Sequence, residues 1–398
     1  MASIRVRQTA SKNSSWFYQV REGKGENEKK IAYKSGFKTE EEARQAGQIA
    51  LNDWEVEEYG ITPETHLLTL VRYYRRLRHA NKILSEGTIR GYDIFEKMVE
   101  QYFDMPINSI KASYYQKVFT ELGQTKGKTY LARLDSLIRR SLELARNDDV
   151  SFRDFTFGME IGTRKKRKKV EEKYIHKAED IEKLEKALFK KAGLTYYESG
   201  EDTSVYLVLY FLLATGMRYG ELVALKWSDL VQDDTTQAYS LKVERRLLVQ
   251  TEKFVELKSE ASYRSVPISD SQADFLLNVI KPTQAILNEE YERENKNDLI
   301  FQHPRFKHDV PFSNAVNHLL AQVLHAENIP GTLTVYGLRH SRAAYLVYQE
   351  IPTSVIAAYL GHTERMFEKT YRHLLAEKKL KGYAAIRLLP DATLEESR

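Results

Sequence analysis

The stretch "YLGHTERMFEKTYRHL", Tyr359 to Leu374, reads as the end of one helix, a glycine turn at Gly361 and a second helix. Read for packing alone, the aromatic residues of the second helix face a core. Yet Tyr371 stands nine residues beyond His362 and is wrapped in Arg365, Lys369, Arg372 and His373. A tyrosine that only packs rarely keeps such polar company. It is either an anchor or a nucleophile, and the rest of the sequence has to decide.

The chain has 398 residues, long for one domain and enough for two or three. With 42% hydrophobic and 29% charged residues it has the composition of a folded globular protein. No apolar run approaches the roughly 18–20 residues that span a bilayer. "VYLVLYFLLA" (Val205–Ala214) has about half that length and reads as a buried helix. The first residues, "MASIRVRQTA", lack the apolar core of a signal peptide. Cysteine is absent, which excludes disulfides, thiol catalysis and cysteine-bound zinc. A cytoplasmic protein without a membrane partner is expected.

Charge is unevenly placed. Residues 1–38 carry nine Lys/Arg against three acids, whereas residues 39–60 carry one arginine against seven acids. The stretch 64–160 is at +3 and 161–175 at +5, which leaves the remainder near −3. Such concentration suits a protein that lies along a polyanion at chosen surfaces.

Three segments alternate apolar with basic residues: "SIRVRQ", "WFYQVR" and "KKIAYK". They predict a three-stranded meander with one basic face, on which Arg5, Arg7 and Arg21 are candidates for DNA contact. Thr39 and Glu42 form a capping box that opens a helix through about Tyr59, with Ala43, Ala46, Ile49, Ala50 and Trp54 as its inner face. The basic sheet, rather than the acidic helix, is expected to meet nucleic acid.

From about Glu64 to Glu160 four helical segments follow, with polar faces carrying Arg72, Arg75, Arg76, Arg78, Lys126, Lys128, Arg139 and Arg140. Gly123, Gly127, Lys128 and Thr129 imitate a phosphate-binding loop, but the spacing is one residue short and a helix rather than a strand precedes it. We expect no nucleotide cofactor; Lys126 and Lys128 suit contacts to a DNA backbone. The tract "TRKKRKKVEEK" holds six consecutive cations, Arg164 to Lys169, which repel one another and cannot be core. Arg164, Lys165, Lys166 and Arg167 are expected in a strap across phosphates.

The expected division is 1–62, a sheet with a helix; 63–160, a four-helix unit; 161–175, a basic linker; and 176–398, a helical body with a small antiparallel sheet on one edge. The fold class is mainly α with small β-sheets. In the last part three strand-like runs are expected in 238–269, a helix over Asp270–Asn295, and further helices at Ser313–Glu327 and Tyr336–Gln349.

That last part also carries the chemistry. "ATGMRYGEL" places Arg218 at a helix junction with Glu221 three residues on. "VELKSEASYRSVPI" puts Lys258 at a turn between strands, and "VYGLRHSRAAYL" sets Tyr336 and Arg339 on one helix face. With His362 and Tyr371 these make a set suited to phosphoryl transfer. Planar bidentate arginines hold non-bridging oxygens, an acid serves the leaving oxygen, and a side chain supplies the nucleophile. His303, His308 and Asp309 show no compelling metal-ligand pattern, so no metal site is expected.

On "TGMRYGEL", "GLRHSRAAYL" and "LGHTERMFEKTYRHL" the chain resembles a tyrosine recombinase of the phage-integrase family, in the version with an arm-type DNA-binding N-terminal domain. The resemblance covers nearly the whole chain. It implies that Arg218 and Arg339 clamp a scissile phosphate, oriented in part by Glu221. It further implies that Lys258 protonates the leaving 5′ oxygen, His362 hydrogen-bonds the phosphate and Tyr371 attacks to form a 3′-phosphotyrosyl intermediate. Core-type and arm-type sites on double-stranded DNA, a homotetramer on DNA, an excisionase and a host DNA-bending protein are the implied partners, with no metal or ATP, in a bacterial host cell. An inactive integrase-like DNA-binding protein and a type IB topoisomerase-like enzyme are the alternatives.

One position departs from the family pattern: Tyr336 stands where a histidine is usual, three residues before the second arginine. A phenol titrating near 10 mainly donates a hydrogen bond, so Tyr336 is expected as a phosphate donor rather than a base. His340 is set aside, because one residue along a helix turns a side chain by about 100°.

Overall fold

The structure, a computed structural model, describes residues 2–9, 15–23, 28–81, 84–164, 173–193, 203–372 and 374. The chain divides into two compact units, Met1–Arg167 and Lys168–Arg398.

The first unit opens with the expected meander, β1 (Ala2–Gln8), β2 (Trp16–Glu22) and β3 (Lys29–Phe37), antiparallel in the order β1-β2-β3. Alternation sends Ile4, Val6, Tyr18 and Val20 inward and Arg5 and Arg7 outward. The sheet rests on α1 (Glu40–Tyr59), opened by the Thr39–Glu42 capping box. The buried face of α1 differs in part from the expected one. Ala43, Gly47, Leu51 and Val56 are its buried residues, while Ile49 and Val56 join the core of the helices that follow. A helix flanked on two sides needs two apolar stripes, and a single-stripe reading merges them.

Those helices are α2 (Leu67–Asn81), α3 (Glu86–Phe103), α4 (Ala112–Leu122) and α5 (Lys128–Asn147), packed around Phe103, Tyr115, Phe119, Leu134 and Ile138. The glycine-rich imitation of a phosphate loop is the turn between α4 and α5.

Most arginines on these polar faces are engaged in ion pairs. Arg72 and Arg75 both pair with Glu96, and Arg75 also with Asp93. Arg76 meets Asp53 and Glu57, and Arg139 meets Asp135. Apart from Asp135, four residues before Arg139 on the same helix, these acids come from other helices and meet the arginines only once the bundle forms.

The second unit is built around α7 (Thr203–Thr215), whose residues Val205–Ala214 are buried on every side, as an all-round apolar helix requires. Against it pack α6 (Ala178–Ala192), α11 (Ser313–Ala326) and α12 (Val335–Tyr348). The short α8 (Tyr219–Leu222) follows α7.

The small sheet is more divided than three strand-like runs imply. β4 (Leu230–Gln232), β5 (Tyr239–Val243) and β8 (Arg264–Pro267) form one antiparallel sheet in the order β4-β5-β8. β6 (Arg245–Leu248) and β7 (Lys253–Glu256) make a separate hairpin. The helix expected over 270–295 is interrupted: α9 (Asp270–Asp274) passes through a π-helical segment, Phe275–Ile280, into α10 (Lys281–Glu290). Pro282 sits at the start of α10 and lacks the N–H that an unbroken α-helix would use there. The last described elements of the unit are α13 (Thr353–Leu360) and a helix at 364–372, α14.

Candidate active site

The site is assembled where two helices end. Gly216 follows α7 and Gly361 follows α13, with φ of +62° and +67° respectively. At Gly361 a Cβ would lie 2.9 Å from Arg264 Nη1 and 3.1 Å from the Ala261 carbonyl, so both the left-handed backbone and the space require glycine. Between these two helix ends lies Arg339, on α12 and 1% exposed. Its Nη1 donates to the Gly216 carbonyl at 2.7 Å, and its Nη2 donates to the Leu360 carbonyl and, at 2.8 Å, to His362 Nε2. The carbonyl ends of two helices therefore stabilise a cation that has no carboxylate partner among the described residues. Burial lowers the affinity of Arg339 for its proton, with Arg218 and Arg264 adding to the effect, to a pKa of about 10; it remains charged near neutrality.

Arg218 caps the start of α8, and Glu221 folds back onto it. Glu221 Oε1 accepts from Arg218 Nη1 at 2.6 Å, and Oε2 accepts from Arg264 Nη2 at 2.9 Å. Burial pushes the Glu221 carboxyl up, but Arg264 and Arg218 together hold it below the usual carboxylate range. Two guanidiniums thus share one carboxylate and Arg339 has none, which leaves two positive charges uncompensated within the cluster.

His362 is buried and neutral. Burial first, then the charges of Arg339, Arg218 and Arg264, lower its pKa to about 3. Because Nε2 accepts from Arg339, the ring proton lies on Nδ1, and this atom has no partner among the described residues. Arg339 Nε is likewise buried without a partner. Buried donors without partners are costly unless an acceptor enters. The chemistry that fits is an anion with several oxygens.

Tyr371, on α14, is 2% exposed and stacks on Phe367 at 4.6 Å between ring centroids. Burial raises its pKa well above that of a free phenol, against the opposing pull of Arg339. Its hydroxyl lies 3.0 Å from His340 Nδ1. This corrects the expectation that His340 points away. The 100° turn from Arg339 is real, but α14 approaches α12 on the flank that His340 faces. Tyr336 is 49% exposed, one helical turn before His340, with the two rings edge to face at 4.8 Å. Lys258 is exposed in the loop between β7 and β8.

The sequence model of the phage integrase family matches residues 177–378, more than half of the chain. The chain belongs to the phage integrase family. A relative described as "tyrosine recombinase XerC-like", from Caldanaerobacter subterraneus subsp. tengcongensis, is 22% identical over 396 residues, covering 92% of this chain and 95% of the relative. Among solved structures, the fold is similar to that of the Tn1549 transposon integrase in complex with transposon right end DNA. There the TM-score is 0.55 at 16% identity, over 80% of this chain and 99% of that one. It is also similar to the XerH site-specific recombinase bound to palindromic difH substrate, with a TM-score of 0.53 at 14% identity, over 85% and 88% of the two chains. Identities this low carry the fold alone.

Of the residues singled out from the sequence, Arg218, Glu221, Arg339, His362 and Tyr371 meet in this family domain. Arg264 was missed. It ties Glu221 to the Ser262 carbonyl at 2.9 Å and to the Tyr359 carbonyl at 2.8 Å, joining the loop that carries Lys258 to the helix that precedes His362. A signal was available: in β8 Arg264 shares the parity of Val266, which is buried, and an arginine on the inner side of a strand needs a carboxylate there.

In the first unit Arg5 and Arg21 both pair with Glu28, at 2.5 and 2.6 Å, so the outer face of the sheet is less positive than its sequence. Arg7 is exposed with no ion pair among the described residues. Lys126, Lys128 and Arg164 are exposed around the α4–α5 turn, where Arg164 N–H donates to the Gly123 carbonyl at 2.9 Å and Thr163 Oγ1 to that of Lys126 at 2.7 Å. Lys165, Lys166, Arg167, His373 and the tail from Ala376 lie outside the described residues. His308 pairs with Glu252 and Asp309 with Arg293. No described helix is long and apolar enough to cross a membrane.

Proposed function

We propose that the protein is a site-specific integrase that cleaves and rejoins DNA through a 3′-phosphotyrosyl intermediate, to integrate and excise a mobile element. The observation that carries this reading is the pair of buried, partnerless donors, Arg339 Nε and His362 Nδ1, in a cluster with two excess positive charges beside Tyr371. A scissile phosphate supplies what that cluster lacks. Arg218 and Arg339 hold its non-bridging oxygens, His362 donates from Nδ1, and Tyr336 donates its accessible hydroxyl. Tyr371 Oη attacks phosphorus, and the bond to the 5′ oxygen breaks as Lys258 protonates that oxygen. Rejoining reverses the step with a 5′ hydroxyl from the partner duplex, so one phosphodiester replaces another and no ATP is needed.

Residues 1–62 serve as an arm-type DNA-binding domain, 63–160 as a core-binding domain, 161–175 as a basic linker and 176–398 as the catalytic domain with its tail. Arg7, Lys126, Lys128 and Arg164, with Lys165 to Arg167, contact phosphates; Arg5 and Arg21 do so on release from Glu28. A tetramer on DNA in a bacterial cytoplasm, helped by an excisionase and a DNA-bending protein, is the working assembly. Similarity to recombinases solved with DNA supports this reading.

The test is trapping on nicked attachment-site DNA. Tyr371→Phe is expected to bind as the parent does in gel shifts and to give no covalent adduct on denaturing gels. A persistent adduct would sink the assignment. Deleting residues 1–62 is expected to abolish binding to arm-type DNA while a core site is still cleaved.

A further inference from the structure

The reading above leaves the proton of Tyr371 without a destination. Tyr371 holds that proton firmly because its hydroxyl is buried. His362 is a poor acceptor: its Nε2 is already taken by Arg339, and its ring lies 6.5 Å from that of Tyr371, centroid to centroid. Tyr336 is 49% exposed, and its ring packs on His340. The side chain in hydrogen-bond contact with the Tyr371 hydroxyl is His340, at 3.0 Å through Nδ1. Its ring sits between two phenols, edge to face with Tyr336 at 4.8 Å and with Tyr371 at 5.4 Å, at interplanar angles of 88° and 65°. An imidazole at this distance from a reacting hydroxyl has the geometry of a general base.

Resting on the function proposed above, we infer that His340 is the catalytic base for Tyr371, the task having moved one helical turn along α12 from the position that Tyr336 occupies. In cleavage, Tyr371 Oη forms its bond to phosphorus as the Oη–H proton passes to His340 Nδ1. The P–O5′ bond breaks, and the 5′ oxygen takes its proton from Lys258. In rejoining, a 5′ hydroxyl gives its proton back to Lys258 and forms the P–O5′ bond as the Oη–P bond breaks, and His340 returns the other proton to Tyr371 Oη. Nothing is oxidised or reduced, and both protons are accounted for. Tyr336 then has two tasks, donating its hydroxyl to the phosphate and packing its ring edge to face with the His340 imidazole.

The experiment compares the parent chain with His340→Ala, His340→Asn and Lys258→Ala in single-turnover adduct formation. The probe is a nicked duplex recovered from a randomised pool by retention on the parent chain. It is used once with an ordinary scissile phosphate and once with sulfur in place of the bridging 5′ oxygen. Sulfur leaves without a proton, so the substitution is expected to restore Lys258→Ala. Both His340 variants are expected to be slowed about 10²–10⁴-fold on either substrate, with gel-shift affinity retained. Asparagine can hydrogen-bond Tyr371 but cannot take its proton, so parental activity in His340→Asn would reduce His340 to a positioning residue and overturn the inference. Restoration of either His340 variant by sulfur would also overturn it, by placing the defect at the leaving oxygen. A parent chain that forms no adduct would bring down the functional reading itself, and this inference with it.

Discussion

The arginines of the two units look alike in the sequence and differ in what they meet. In the helical bundle of the first unit, Arg72 and Arg75 share Glu96, Arg75 adds Asp93, and Arg76 has Asp53 and Glu57. These pairs sit near the surface, where water and salt weaken them. In the second unit Arg218 and Arg264 share one carboxylate and Arg339 has none, with Arg264 and Glu221 only 6% and 3% exposed. The first arrangement satisfies itself. The second is balanced only when an anion arrives, which is what distinguishes a binding site from a charged surface.

The contrast can be pressed by substitution. The largest effect on stability is expected from Glu221→Gln, which strands buried guanidiniums without a carboxylate. Breaking a buried ion pair from one side costs about 3–5 kcal/mol, read from denaturant unfolding of the second unit. A loss within the surface range would mean the cluster is more hydrated than its burial indicates.

Next comes Arg339→Lys, which keeps the charge but loses the planar fork between two helix ends. Single-turnover cleavage should fall by about 10²–10³-fold, the scale for losing one donor to developing charge. Parental cleavage would count against Arg339 as a phosphate clamp.

A smaller effect is expected from acid. His362 titrates at about 3 in the fold against an ordinary value of 6.5, so between these values the unfolded chain binds a proton that the folded chain refuses. Its contribution to stability is full above pH 6.5 and declines as pH falls toward 3, by up to about 1.4 kcal/mol per pH unit. The depressed Glu221 carboxyl acts in the same direction, being lost as pH falls through its folded value. His362→Asn should flatten this decline in unfolding midpoints measured between pH 7 and 5, and an unchanged slope would show that His362 is not held neutral.

The smallest effect belongs to the bundle. Glu96→Gln should cost less than Glu221→Gln and leave cleavage unchanged, since its pairs with Arg72 and Arg75 are only partly buried. A cleavage defect would blur the difference between the two clusters.

Much of this was legible in the sequence because short-range chemistry dictates it. The Thr39–Glu42 capping box, the buried run Val205–Ala214, the glycine at Gly361 and the order of Arg218, Arg339, His362 and Tyr371 each follow from neighbouring residues. What was not legible depends on which flank a distant element takes. His340 was dismissed on helix geometry that was correct for Arg339's direction and silent about where α14 would lie. Arg264 shows itself only when strand parity is weighed against the burial of Val266. The ion pairs of Arg75 and Arg76 depend on acids brought by other helices, and no local charge count anticipates them.

The order of the site along the chain has a consequence for synthesis. Arg218, Glu221, Arg264 and Arg339 all precede His362, and Tyr371 follows on α14, the last helix among the described residues. As the chain leaves the ribosome, the anion-holding cluster is complete in sequence before the reactive hydroxyl appears, and domains begin to fold as they emerge. On the proposed function, chains cut short within α13 or α14 would carry the arginines proposed to hold DNA phosphate and lack the proposed nucleophile. Such fragments, where they fold, would act as competitors of the intact chain at its own sites, and their production would be felt as inhibition rather than simple loss.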